Sequence, residues 1–94
     1  MKPCQVSMTR FAEKQIRRVP HFIREALLVW AKTVESIGVL ETRKLPGYHD
    51  EPLQGKRHGE RTVRLSRGYR VFYEERDQKE VLVLAVLEVS KHEY

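Results

Sequence analysis

From His49 to Tyr73 the chain reads HDEPLQGKRHGERTVRLSRGYRVFY, which sets Lys56, Arg57, Arg61, Arg64, Arg67 and Arg70 between the acidic pair Asp50 and Glu51 and a run of aromatics. Guanidinium groups in that density can hold a phosphate, because each is always charged and presents a planar fork of donors. RTVRL and YRVFYEE alternate as strands and flank a turn containing Gly68, where a positive φ is expected. A three-residue loop of Ser66, Arg67 and Gly68 puts Leu65 opposite Tyr69, Arg64 opposite Arg70 and Thr62 opposite Phe72. Like charges directly opposed on one face cost stability, so an anion shared by Arg64 and Arg70 is one reading. The other is a solvated basic face partnered by Glu60, Glu74 or Glu75. A two-residue turn would shift the register and separate the pair.

The remaining candidates for chemistry are a carboxylate and the histidines. Glu51 precedes Pro52, which holds it extended and either aims its carboxylate or leaves it an ordinary loop acid. Asp50 beside it reads as a solvated neighbour. His92 closes the last strand on the side shared with Glu88 and Ser90. If that strand delivers it to the face of the arginines, His92 completes an acid/base set with them and the loop carboxylate. His49 is placed to assist, His58 reads as a ligand contact in the basic turn, and His21 as a surface residue at a helix start. No histidine pair has metal-ligand spacing and the single cysteine, Cys4, adds none, so a mechanism without metal or other cofactor is expected. Cys4 itself lacks an activating neighbour and reads as a small strand residue.

These groups need elements to position them. CQVSM (4–8) alternates as a short strand. Thr9 then caps a helix over 10–19, with Ala12, Ile16 and Val19 on one stripe, and Pro20 stops it. HFIREALLVWAKTVESIG is the clearest helix: Ile23, Ala26, Leu27, Trp30, Val34 and Ile37 recur at helical spacing and Gly38 ends it. That stripe makes Trp30 a core residue, not a base-stacking one. Residues 40–55, with two prolines and two glycines, read as an irregular surface loop. EVLVLAVLEV is apolar on both faces, as a central strand is. The expected fold class is α+β in the order β-α-α-β-β-β. A helical hairpin covers one face of a mainly antiparallel sheet and leaves the other partly open.

Ninety-four residues make one domain, 1–94. The formal charge of +5 is compatible with a nucleic-acid partner without requiring one. No apolar run after the basic start reads as a signal peptide and none is long enough to span a membrane, so a cytoplasmic protein with no membrane partner is expected.

PGYHDEPLQGKRHGERTVRLSRGYRVFYEE followed by LEVSKHEY resembles the RelE/ParE superfamily of toxins from bacterial type II toxin-antitoxin systems, and within it the RelE/YoeB-like messenger-RNA interferases. The likeness rests on the EPLQG loop, G.R..RLS..YR..Y across the hairpin, and a C-terminal His near a Tyr. It implies a metal-independent endoribonuclease that cuts mRNA on the 70S ribosome, inhibits translation and is blocked by a cognate antitoxin. By position it implies Glu51 as general base, Arg64 and Arg70 on the scissile phosphate, and His92 as general acid. Lys44, Lys56, Arg57, His58 and Arg61 would hold the RNA backbone, and Tyr69, Phe72 or Tyr94 would stack a base. Glu93 separates His92 from Tyr94 where relatives place the two side by side, which bears on the placement of Tyr94. The alternatives are a ParE-like toxin that acts on DNA gyrase by protein contact, and an inactive RNA-binding relative.

Overall fold

The apolar stripe of the long helix and the alternation of the strands meet in one core. The structure, a computed structural model, describes residues 4–55, 59–76 and 79–88. Its elements in chain order are β1 (Gln5–Met8), α1 (Arg10–Ile16), α2 (His21–Ile37), α3 (Val39–Arg43), a single 3-10 turn (Pro46–Tyr48), β2 (Glu51–Pro52), β3 (Glu60–Ser66), β4 (Tyr69–Arg76) and β5 (Glu80–Glu88). The five strands form one sheet in the order β1-β5-β4-β3-β2; β1 runs parallel to β5 and the other neighbours are antiparallel. The α+β class and the helical hairpin on one face are as the sequence predicts, and β5 lies inside the sheet, paired on both sides as β4 and β3 are.

Thr9 caps α1 as its position predicts: its hydroxyl accepts from Ala12 N at 3.0 Å and donates to the Leu84 carbonyl, also at 3.0 Å. That second bond lands where β5 breaks register with β4, since Phe72 pairs with Ala85 but Tyr73 with Val83. α1 ends at Ile16, short of the predicted Val19. Pro20 disfavours helical backbone in the residue before it, so the chain unwinds early. Val19 still reaches the core. Gly38 ends α2 with a φ of 90°, and its amide donates to the Val34 carbonyl.

Two expectations fail. Residues 40–55 are not irregular throughout, because α3, the 3-10 turn and β2 lie within or across them. Val39 and Thr42 anchor α3 in the core, and Thr42 Oγ1 donates back to the Gly38 carbonyl at 2.8 Å. Ile37 stands 45% exposed instead of joining the stripe of α2.

Ile23, Leu27, Trp30 and Val34 of α2 pack with Ala12 and with Val63, Val71, Tyr73, Val81, Val83 and Val86 of the sheet. Trp30, 1% exposed, lies with its ring centroid 5.3 Å from that of Tyr73 at an interplanar angle of 52°. This tilted contact joins the helical layer to the middle of the sheet. Trp30→Ala should therefore cost about 3–5 kcal/mol of stability in urea denaturation, and a loss below about 1 kcal/mol would show that the ring is not a core element.

Candidate active site

The hairpin resolves the register question in an unexpected way. The turn has two residues, Arg67 and Gly68, and Ser66 pairs with Tyr69 in place of the expected Leu65. A bulge between Arg64 and Ser66 absorbs the extra residue, so Arg64 still pairs with Arg70, Val63 with Val71 and Thr62 with Phe72. Gly68 does not take the expected positive φ; the described glycines that do are Gly38, Gly55 and Gly59. The Gly68 amide instead donates to Ser66 Oγ at 3.2 Å.

Because directly paired residues share a face, the registers define two rows on the side of the sheet away from the helices. One runs Glu51, Thr62, Phe72, Ala85 across β2, β3, β4 and β5; the next runs Arg64, Arg70, Leu87. Glu51 is exposed, whereas Arg64 and Arg70 are half-buried. Strand spacing and rise place the Glu51 Cα about 8 Å from that of Arg64 and about 12 Å from that of Arg70. Side chains of this length can therefore converge on one phosphodiester. Thr62 Oγ1, between Glu51 and Phe72, is buried and makes no hydrogen bond.

The opposite side holds a polar cluster that the sequence did not announce. Asp50 is not solvated: its side chain is 2% exposed. Its carboxylate accepts from Tyr73 Oη at 2.6 Å and from Arg61 Nε at 2.5 Å, and Arg43 Nε lies 3.7 Å away. Arg43 in turn donates through Nη2 to Glu75 Oε1 at 2.7 Å. Burial and the adjacent Asp50 carboxylate push the Tyr73 phenol far above its ordinary value, with Arg43 partly opposing the shift. His49, immediately before Asp50, adopts the left-handed backbone region (φ 46°, ψ 50°).

The predicted site residues therefore divide. Glu51, Arg64, Arg70 and Phe72 come together on one face. Arg61 does not join them: it pairs with Tyr73, faces the helices and is held by Asp50. Tyr69 packs against the core and is not presented on the open face. Lys44 stands exposed beyond α3, paired with Glu41 Oε2 at 3.1 Å, and belongs to neither row. Arg67 is an exposed turn residue. Lys56, Arg57, His58, His92 and Tyr94 lie outside the described residues. On β5, Leu87 shares the face of Arg70, and Glu88 that of Tyr69. The expectation that the side of Glu88 is the arginine face therefore fails, and the register at Glu88 does not support delivery of His92 to that face. Cys4 is buried, which pushes its thiol up and suits a packing residue. Among the described residues no group of three His, Cys, Asp or Glu side chains is arranged to hold a metal ion, and no helix is long and apolar enough to cross a membrane. Sequence reading missed Asp50, Tyr73 and Arg43 as a unit. The available signal was parity, since Tyr73 lies two residues from the apolar Val71 on the buried side of β4.

A helical layer on one face of a small, mostly antiparallel sheet is a fold shared with solved RelE-type toxins. An archaeal RelE–RelB complex from Pyrococcus horikoshii is similar at a TM-score of 0.73 and 17% identity, over 95% of this chain and 98% of that one. The RelBE2 toxin-antitoxin complex of Mycobacterium tuberculosis gives 0.70 and 23%, over 92% and 98%. A YoeB/ParE toxin from Agrobacterium tumefaciens gives 0.71 and 14%, over 92% and 99%. At these identities the likeness is one of fold. No curated protein sequence matches. A family model described as the ParE toxin of the type II toxin-antitoxin system, parDE, matches residues 6–92. The chain belongs to this family of type II toxins, in agreement with the superfamily resemblance of its motifs.

The raised phenol has a consequence for stability. A group whose pKa is raised on folding contributes fully below its unfolded value, here about 10, and the contribution is lost as the pH climbs above that value, where only the unfolded state releases the proton. Thermal unfolding between pH 8 and 11 should therefore show steeper alkaline destabilisation in the wild type than in Tyr73→Phe. Parallel curves would place the phenol in an ordinary environment.

Proposed function

We propose that this toxin is an endoribonuclease that cleaves messenger RNA on the ribosome, without a metal ion, and so stops translation. The observation that carries the reading is the like-charged pair Arg64 and Arg70, directly opposed across β3 and β4 and one row from Glu51. Two guanidinium groups set together at a cost in repulsion fit an anionic substrate.

In this mechanism Glu51 takes the proton of a ribose 2′-OH, whose oxygen attacks the adjacent phosphorus. Arg64 and Arg70 stabilise the negative charge that grows on the phosphoryl oxygens. The bond from phosphorus to the 5′ oxygen breaks, and His92 protonates that oxygen. The products are a 2′,3′-cyclic phosphate and a 5′-OH. DNA lacks the nucleophile and is not cut. Phe72, in the row of Glu51, is the described aromatic suited to stacking a base, and Tyr94 a second candidate. Lys56, Arg57 and His58 hold the RNA backbone, and Lys44, paired with Glu41 beyond α3, is not counted among them. Arg61 is better read as the partner of Asp50 than as a substrate contact, and Tyr69 as a packing residue. The partner is a cognate antitoxin. Supporting this are the type II family, neighbours solved as toxin-antitoxin complexes, and large apolar side chains (Phe11, Phe22, Leu28, Val29) more than half exposed on the helices.

A second reading has its own support. The matching family is the ParE branch, so the toxin would act on DNA gyrase by protein contact, with the arginine pair as part of that contact.

Incubation with messenger RNA in EDTA, with and without ribosomes, separates the two. The nuclease reading predicts cleavage that disappears when the nucleotide at the cut site is 2′-deoxy. It also predicts that Arg70→Ala slows cleavage about 10²-fold or more, that His92→Gln does likewise, and that Lys56→Ala chiefly lowers the salt dependence of binding. No cleavage in either setting, together with gyrase inhibition, selects the second reading.

A further inference from the structure

Asp50 and Glu51 are neighbours in the chain and point to opposite faces of the sheet. We propose that Asp50 and Tyr73 are positioning residues for Glu51: the clamp on the Asp50 carboxylate sets where the Glu51 carboxylate stands on the other face. This rests on the reading of Glu51 as the general base.

Little else holds β2 in place. It is a two-residue edge strand, and one of the two, Pro52, has no amide proton to give to the ladder. Downstream, the Leu53 amide donates to the Glu60 carbonyl at 2.9 Å. Upstream, His49 holds a left-handed backbone that a residue with a Cβ keeps only where its surroundings enforce it. So short a strand does not fix its own register, and a slip of one residue would exchange the faces of Asp50 and Glu51.

The side-chain clamp supplies the missing constraint. Asp50 is met by Arg61 from β3, Tyr73 from β4 and Arg43 from α3, with Glu75 behind Arg43. Successive side chains of extended backbone alternate in direction. With Asp50 held on the helical side, Glu51 is directed to the open side, opposite Thr62 and one row from Arg64. Tyr73 is itself fixed by Trp30, so the constraint runs from the core to the carboxylate.

Tyr73→Phe tests this because it keeps the ring against Trp30 and removes only the donor to Asp50. Two readouts apply. In hydrogen exchange the Leu53 amide should lose about tenfold or more of its protection while amides of the β4–β5 ladder keep theirs. In cleavage assays Tyr73→Phe should lower kcat about tenfold with KM unchanged, and should have no further effect in a Glu51→Gln background. Unchanged protection at Leu53 would overturn the proposal. So would losses that multiply in the double variant, since a general loss of stability behaves that way and an effect through Glu51 does not. If Glu51→Gln alone cleaves normally, the base reading fails and takes the positioning role with it, whatever Leu53 does.

Discussion

A carboxylate with almost no water around it, met by a phenol and a guanidinium and with a second guanidinium close by, is the constraint on which the rest of this molecule depends. Removing one partner from a buried charge pair costs about 3–5 kcal/mol, whereas a typical single backbone hydrogen bond contributes about 1 kcal/mol net. Asp50 therefore outweighs the short ladder around it. Its partners come from α3, β3 and β4, and Tyr73 rests on Trp30 of α2. One side chain thus ties the loop that precedes β2 to the helical layer and the sheet together.

The same interaction sorts the basic residues of the hairpin. Arg61 and Arg64 are three apart, so alternation sends them to opposite faces. Arg61 is consumed by Asp50, while Arg64 meets Arg70 on the open side. The bulge beside Leu65 is what keeps that pair in register across a two-residue turn. Without it Leu65 would pair with Arg70, and the two guanidinium groups would fall on opposite faces. The outer face therefore combines a like-charged pair, which an anion would relieve, with Glu51 one row away.

Much of the fold was legible because its signals are local and strong. The apolar spacing of α2, the cap at Thr9 and the doubly apolar run of β5 all specify their elements, and each is observed. The segment after Gly38 was not legible. Its prolines and glycines resemble loop punctuation, while α3 is held by tertiary packing of Val39 and Thr42 that no local pattern reveals. The same division applies to the site. The pairing of Arg64 with Arg70 was expected from a three-residue loop; the turn has two residues, and the pairing holds because a bulge that no local pattern announced restores it. Asp50 was read as solvated because an acidic residue in a polar surface loop usually is. Its burial depends on Arg43, Arg61 and Tyr73, which lie between 7 and 23 positions away in sequence.

The most direct measurement is the side-chain NMR of the arginines on addition of a short RNA whose 2′-hydroxyls are methylated, so that it binds without being cut. The Nε–H signals of Arg64 and Arg70 should move together and saturate with the RNA, while that of Arg61, held by Asp50, stays where it is. Unmoved signals from Arg64 and Arg70, or an Arg61 signal that moves with them, would contradict the division of the hairpin on which the proposed chemistry stands.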